Sequence, residues 1–201
     1  MDFMPQEIQS VLKRMEREDA EDRNIEDLPR EDRMFTLHPD TSVLIHMMIQ
    51  CANCKNLVEV GVAHGYSTVW LAHAAKLTGG RLTSFEINPR AIEIAQRNLA
   101  ETGLTDLVEF VEGDALETVK SYEGPFDFVL MDCWEWLYVD LMDIIVPRLR
   151  PGGMIVADNV SPGGEESDRF IKTLHEHPAM ETVSVPIGRE IEVCVKMLGG
   201  E

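Results

Sequence analysis

Apolar residues in this chain gather in short unbroken runs, and the polar stretches between them carry apolar residues at helical spacing. Five runs predict strands near Asn56–Val60, Arg81–Glu86, Leu107–Glu112, Phe126–Met131 and Met154–Ala157. Between them, Ser67–Lys76, Pro89–Glu101, Asp114–Tyr122 and Trp134–Leu149 have the length and spacing of helices. Such βαβ repetition predicts a mainly parallel sheet covered on both faces by right-handed crossovers. A further helix at about Glu166–His175 precedes two β-rich pieces, Glu181–Pro186 and Ile191–Met197. Too few residues separate those two for a crossover, so they form a hairpin. The expected fold is therefore an α/β, Rossmann-like seven-stranded sheet, mostly parallel with one antiparallel strand, with helices on both faces. Upstream, Ile8, Val11, Leu12 and Met15 make Pro5 to about Asp27 an amphipathic helix, laid against the body or acting as a lid. Asp40 or Thr41 should cap the next helix, whose Val43, Leu44, Met47, Met48 and Ile49 are expected in the core. The reading is one domain over residues 1–201, an acidic helical arm (1–33) followed by the core (34–201).

The most informative segment is Leu57-Val58-Glu59-Val60-Gly61-Val62-Ala63-His64-Gly65-Tyr66-Ser67, where an apolar strand enters a glycine-spaced turn and then a helix. Gly61 and Gly65 remove bulk where the chain reverses, and Ser67 can place its hydroxyl at the helix N-terminus, facing a negative ligand group. The spacing is E-x-G-x-x-x-G, not the G-x-G-x-x-G of dinucleotide sites. Glu59 on a central strand is buried and needs partners, which a cationic ligand amine would supply. Glu86, 25 residues after Gly61, ends the second strand where a carboxylate can accept from two ribose hydroxyls. Asp114, after the third strand, either accepts from an adenine amino group or caps the helix that follows.

Charge narrows the partners. With 36 acidic against 18 basic residues the net charge is −18, which opposes nucleic acid and other polyphosphates and favours a small-molecule acceptor. No apolar run approaches the roughly 20 residues that span a bilayer, and the first residues lack the basic and apolar regions of a secretory leader. A cytosolic protein without membrane or nucleic-acid partners is expected, and the long first helix and open sheet edge suit a homodimer. Cys51 and Cys54 have C-x-x-C spacing without a second pair, and His175 and His177 face apart on a helix; neither pair is read as a metal site.

Oxygen ligands also stand at the tips of the fourth and fifth strands, in Met131-Asp132-Cys133-Trp134 and Ala157-Asp158-Asn159. If these strands are neighbours, Asp132, Asp158 and Asn159 share one small volume. Two carboxylates so close repel unless a cation lies between them, and an all-oxygen set suits Mg²⁺ or a similar divalent ion. Separate helix caps are the competing reading.

These pieces, with Gly113-Asp114-Ala115 and Leu149-Arg150-Pro151-Gly152-Gly153, resemble the cation-dependent O-methyltransferases, the family of catechol and caffeoyl-coenzyme A O-methyltransferases, over about residues 35 to 197. The resemblance implies an S-adenosylmethionine-dependent O-methyltransferase acting on a small hydroxyl substrate. It implies a cofactor site at Glu59, Gly61, Gly65, Ser67, Glu86, Asp114, Ala115, Asp132 and Trp134, and a metal held by Asp132, Asp158 and Asn159. It also implies a lysine base three residues after Asp132, where this chain has Glu135. Asp132 and Glu135 are the candidate catalytic residues, Glu135 as the base with His38 and His64 as substitutes, and His38, Trp134, Trp136 and Tyr138 are candidates to line the acceptor pocket. Two other readings stay open: an NAD-dependent oxidoreductase, favoured by Glu86, and a cofactor-binding or interaction module without turnover, favoured by Glu135.

Overall fold

A computed structural model describes residues 3–29 and 32–199, so Arg30 and Glu31 of the arm and both extreme ends of the expected domain lie outside the described residues. The described residues form α-helices and strands in the order α1 (Gln6–Asp22), α2 (Pro39–Cys51), β1 (Asn56–Val60), α3 (Tyr66–Thr78), β2 (Arg81–Glu86), α4 (Pro89–Ala100), β3 (Val108–Glu112), α5 (Ala115–Ser121), β4 (Phe126–Met131), α6 (Tyr138–Ile145), β5 (Leu149–Asp158), α7 (Glu165–His175), β6 (Met180–Val185) and β7 (Ile191–Lys196). The seven strands form one sheet in the order β3-β2-β1-β4-β5-β7-β6, and β7 runs antiparallel to both of its neighbours. This is the expected doubly wound sheet with a terminal hairpin.

Strand order reverses at β1, which pairs in parallel with β2 on one side and β4 on the other. Ligands of such sheets sit beyond the carboxyl ends at this switch point. β4 and β5 are parallel neighbours in register, with Met131 opposite Ala157, so Asp132 and Asp158 leave their strands side by side. The two faces bury separate apolar layers. Ile8, Leu12, Met15, Ile45, Ile49, Trp70 and Leu71 cover one, while Phe85, Phe126, Tyr138, Ile145 and Phe170 cover the other. Among the described residues no helix is long and apolar enough to cross a membrane.

Several boundaries differ from the pattern-based ones, each for a local reason. α1 ends at Asp22, where the Arg23 side chain turns back onto Asp19 (2.7 Å). Its Ile8, Val11, Leu12 and Met15 are buried against the body, so the helix itself is part of the core layer. His38 caps α2, its Nδ1 accepting from the Asp40 N–H (3.2 Å) with Pro39 in the first turn; Asp40 and Thr41 do not. Of the methionine stripe, Met47 is 55% exposed and faces out. The expected helix 134–149 breaks into a 3-10 turn (Glu135–Leu137), α6 and a second 3-10 turn containing Pro147, which has no N–H to continue the helix. β5 starts earlier than Met154, because a register shift between Phe126 and Phe128 lets Leu149 join the ladder.

α2 and α3 meet through a buried histidine pair. His46 Nε2 and His73 Nδ1 lie 3.0 Å apart, Gln50 Nε2 lies 2.9 Å from His46 Nδ1, and Trp70 packs edge-on against His46. Burial first, then the His73 ring, push His46 down to about 4, so it folds neutral.

Candidate cofactor and metal site

At the switch point the turn after β1 is fixed from three sides. The Gly61 N–H donates to the Phe85 carbonyl (2.9 Å), and the Asp132 N–H donates to the Val60 carbonyl (2.9 Å). Gly61 has φ +93°, and a Cβ there would lie 2.0 Å from the Asp132 carbonyl oxygen. Gly65 begins α3 at φ +87°, with Ala95 of α4 packed where its Cβ would stand (2.8 Å). Both glycines are thus required by conformation and by close approach. The turn and the tip of β4 are thus bonded and packed against each other.

Glu86 ends β2 and buttresses the same turn. Its Oε2 accepts from the Val62 and Ala63 N–H groups (2.9 and 3.2 Å), and its Oε1 accepts from Asn88 N–H (2.9 Å). With about four acceptor positions on a carboxylate, room remains for another donor beside these three. Asp114 caps α5, its Oδ1 accepting from the Leu116 N–H (2.9 Å), which realises the capping alternative; Ala115 is the first residue of that helix.

Glu59 and Ser67 are bonded to each other within the protein. Glu59 is wholly buried, but its partners are three hydroxyls: Ser67 Oγ (2.6 Å) donates to Oε1, while Thr68 Oγ1 (2.8 Å) and Ser84 Oγ (2.6 Å) donate to Oε2. The Ser67 hydroxyl proton is directed at Glu59, and Ser67 does not cap α3. The need for partners was legible in the sequence, and the three hydroxyls that meet it were not. Ser84 becomes visible only once the β1–β2 register places it opposite Glu59. Burial dominates over these three bonds and, with the Glu86 charge, pushes the Glu59 carboxyl up to about 7.

The histidine pair and Glu59 set opposite pH dependences. His46 titrates lower when folded than its usual 6.5, so the unfolded chain binds the extra proton and stability is lost as pH falls from about 6.5 towards 4. Glu59 titrates higher when folded than its usual 4.5, so its contribution is full below 4.5 and is lost as pH rises through about 7. Each shift corresponds to at most about 3 kcal/mol. Thermal melts across pH 4–8 should show Glu59→Gln flattening the alkaline decline and His46→Gln flattening the acid one; unchanged slopes would contradict both assignments.

The tips of β4 and β5 come together as their adjacency requires. Asn159 Nδ2 lies 3.1 Å from Asp132 Oδ1, and Asn159 takes the left-handed conformation (φ +62°) to turn back towards it. Asp158 is 6% exposed and its Oδ1 has no hydrogen-bond partner. Burial, the Asp158 charge and the Glu59 charge raise the Asp132 carboxyl well above the usual range, and burial pushes Asp158 up to about 6 despite the Arg189 charge. The Tyr138 hydroxyl lies 3.0 Å from the Met131 carbonyl and 2.9 Å from the Asp158 carbonyl, within bonding reach of both strand ends. Tyr138 is fully buried, which corrects its expected place in an acceptor pocket. An orphaned buried carboxylate oxygen facing a second carboxylate is what a divalent cation would satisfy, so the donor chemistry fits one. Rotating the Asn159 amide would offer its oxygen to the same point, since amide orientation follows the hydrogen-bond network. Among the described residues no group of three or more His, Cys, Asp or Glu forms a metal cluster; the oxygen set here has two carboxylates and an amide.

Beyond Asp132, Trp134 and Trp136 stack with ring centroids 4.4 Å apart, and Glu135 Oε2 accepts from Ser167 Oγ (3.2 Å). His64 packs under the arm, its Nδ1 2.8 Å from Met34 Sδ, and burial lowers its pKa. His38 is occupied as the α2 cap and lies over Gly188. Cys51 and Cys54 are free thiols, His175 lies 3.6 Å from Glu192, and His177 Nδ1 accepts from Ala179 N–H.

A methyltransferase-domain family model matches residues 58–160, from the glycine turn through the β5 tip. A catechol O-methyltransferase of Mycobacterium tuberculosis is 34% identical over 149 residues, covering 68% of this chain and 67% of that protein. The chain belongs to this family of O-methyltransferases. A catechol O-methyltransferase of Niastella koreensis is 33% identical over 138 residues, 67% of this chain and 62% of the relative, so the match spans less than two thirds of that relative's length. The O-methyltransferase from Bacillus cereus, solved with S-adenosylhomocysteine, superposes with a TM-score of 0.79 at 23% identity, covering 96% of this chain and 93% of the other; that likeness speaks to the fold. In this family member the matched segment contains both the glycine turn and the three oxygen-bearing side chains at the strand tips.

Proposed function

We propose that this chain transfers the methyl group of S-adenosylmethionine to a hydroxyl of a small aromatic acceptor, assisted by a divalent cation such as Mg²⁺. The observation that carries the reading is the pairing of Asp132 with Asp158 and Asn159 immediately beside the Gly61 turn, in a chain of this family. Glu86 has acceptor capacity for a ribose hydroxyl, Gly61 and Gly65 give the donor's methionine moiety close access to backbone, and Trp134 would flank the adenine. Glu59 acts indirectly, clamping the first turn of α3 through Ser67 and Thr68.

Asp132, Asp158 and Asn159 would hold the cation. Bound there, it would lower the pKa of an acceptor hydroxyl and fix that oxygen. The side chains' task is then positioning: they hold the acceptor oxygen in line with the donor methyl, and charge on oxygen and sulfur cancels as the methyl moves. A hydroxyl acidified in this way could pass its proton to solvent water near neutral pH, which would remove the demand for a lysine at position 135.

Titration with S-adenosylhomocysteine and with NAD⁺ tests the donor directly. Saturable binding of the first alone is expected. Preference for NAD⁺ would return the oxidoreductase reading, and methyl transfer absent from a panel of phenols despite cofactor binding would favour a module without turnover.

A further inference from the structure

Lys196 is half-buried, whereas Lys13, Lys55, Lys76, Lys120 and Lys172 all stand exposed. It ends β7, the antiparallel strand, and so lies where β5 begins, at the opposite end of the sheet from Asp132 and Asp158. Its Nζ donates to the Val146 and Leu149 carbonyls (2.8 Å each), closing the 3-10 turn that follows α6. An ammonium has three protons to donate, so one remains. Among the described residues no carboxylate forms an ion pair with it, although the chain carries 36 acidic residues against 18 basic ones. Lys196 opens on a cavity of about 280 Å³, at the small end of ligand sites.

Met142, Val146 and Ala179 give that cavity apolar walls, and His177 and Asp143 share the lining. His177 Nδ1 accepts from the Ala179 N–H (3.1 Å), which leaves the ring proton of the neutral imidazole on Nε2 as a second donor. The walls are held from behind: the Met180 N–H donates to the His177 carbonyl (3.2 Å) and the Met197 N–H to the Ala179 carbonyl (2.9 Å). One ammonium and one imidazole N–H over apolar walls suit a singly charged, acceptor-only head on an apolar body. A phosphate carries more charge than one ammonium balances, and Asp143 repels the excess. We propose that this cavity is a second ligand site that takes a small organic monocarboxylate, its oxygens on Lys196 Nζ and His177 Nε2 and its apolar body on Met142, Val146 and Ala179. No residue of the proposed methyl-transfer site belongs to it.

The test is a titration of the full chain, labelled with ¹⁵N, with benzoate, benzyl alcohol and inorganic phosphate. The amide resonances of Ala179 and Met197 report the cavity, and that of Asn159 reports the strand tips at the other end of the sheet. Benzoate should shift Ala179 and Met197 saturably at millimolar concentration, about tenfold more tightly than benzyl alcohol and more tightly than phosphate. Lys196→Met keeps the apolar stem and removes the charge, so it should weaken benzoate about tenfold and leave benzyl alcohol within about twofold. Because that change also strips the Val146 and Leu149 carbonyls of their donor, a second variant leaves Lys196 in place: Ala179→Asp offers it a carboxylate from the cavity wall and should weaken benzoate by about as much. Far-ultraviolet circular dichroism checks that each variant is folded, and if Lys196→Met is not, Ala179→Asp decides. Benzoate shifts confined to Asn159, no saturable shift at Ala179 and Met197, equal affinities for benzoate and benzyl alcohol, tighter binding of phosphate, or undiminished benzoate affinity in Ala179→Asp would overturn the proposal.

Discussion

Replacing Asp158 and Asn159 together by alanine is expected to abolish methyl transfer while leaving S-adenosylhomocysteine affinity largely intact. Two of the three oxygen-bearing side chains at the strand tips disappear, and the cation loses the ligands that fix it and the acceptor oxygen. Losing about 4 kcal/mol of such stabilisation corresponds to about 10³-fold in rate. The cofactor turn is built elsewhere, from Gly61, Gly65 and the Glu86 bonds to Val62 and Ala63, and does not use either replaced side chain. Stability supplies an independent readout. In metal-free protein Asp158 is a buried carboxylate with an orphaned oxygen beside Asp132, so the double variant should melt at or above the temperature of the parent. Mg²⁺ should raise the melting temperature of the parent and not that of the variant. Equal loss of turnover and cofactor binding would contradict this separation of roles.

The second large effect is Gly61→Ala, expected to destroy cofactor binding and turnover together. The added Cβ would stand 2.0 Å from the Asp132 carbonyl oxygen, a backbone atom that cannot swing aside, at a φ of +93° that alanine resists. Relief requires moving either the turn or the tip of β4, and the latter carries Asp132. Strain of this kind costs several kcal/mol in stability, so a fall in melting temperature should accompany the functional loss. Gly79→Ala is the control: its φ is also positive (+73°), but no atom lies within 4 Å of the added Cβ. That variant should lose about 1 kcal/mol and keep cofactor affinity. Similar loss of affinity in both would show that backbone strain alone, not contact with Asp132, explains the first.

The alternation of apolar runs sufficed to place every strand of the sheet within a few residues and to foresee the hairpin, because period and run length report burial directly. Juxtaposition of Asp132 with Asp158 and Asn159 was equally legible, since consecutive βαβ strands are usually neighbours. Hydrogen-bond partners across elements were not. Glu59 required donors, yet only the β1–β2 register shows that Ser84 faces it, and only the α3 geometry shows Ser67 and Thr68 turning inward. Tyr138 illustrates the same gap: its position after Trp134 suggested a residue lining the acceptor pocket, whereas the break of the helix at the Glu135–Leu137 turn places it beneath the strand tips. His38 capped α2 unforeseen because histidine is an uncommon cap and Asp40 and Thr41 are common ones.

The account's central claim is a divalent cation shared by Asp132, Asp158 and Asn159 beside a sulfonium methyl donor. Its most direct test is methyl transfer from labelled S-adenosylmethionine to catechols, measured after EDTA treatment and again after Mg²⁺ is restored. The account predicts no transfer in EDTA and full recovery with Mg²⁺, with no recovery in the Asp158→Ala, Asn159→Ala variant. Undiminished transfer in EDTA would contradict it.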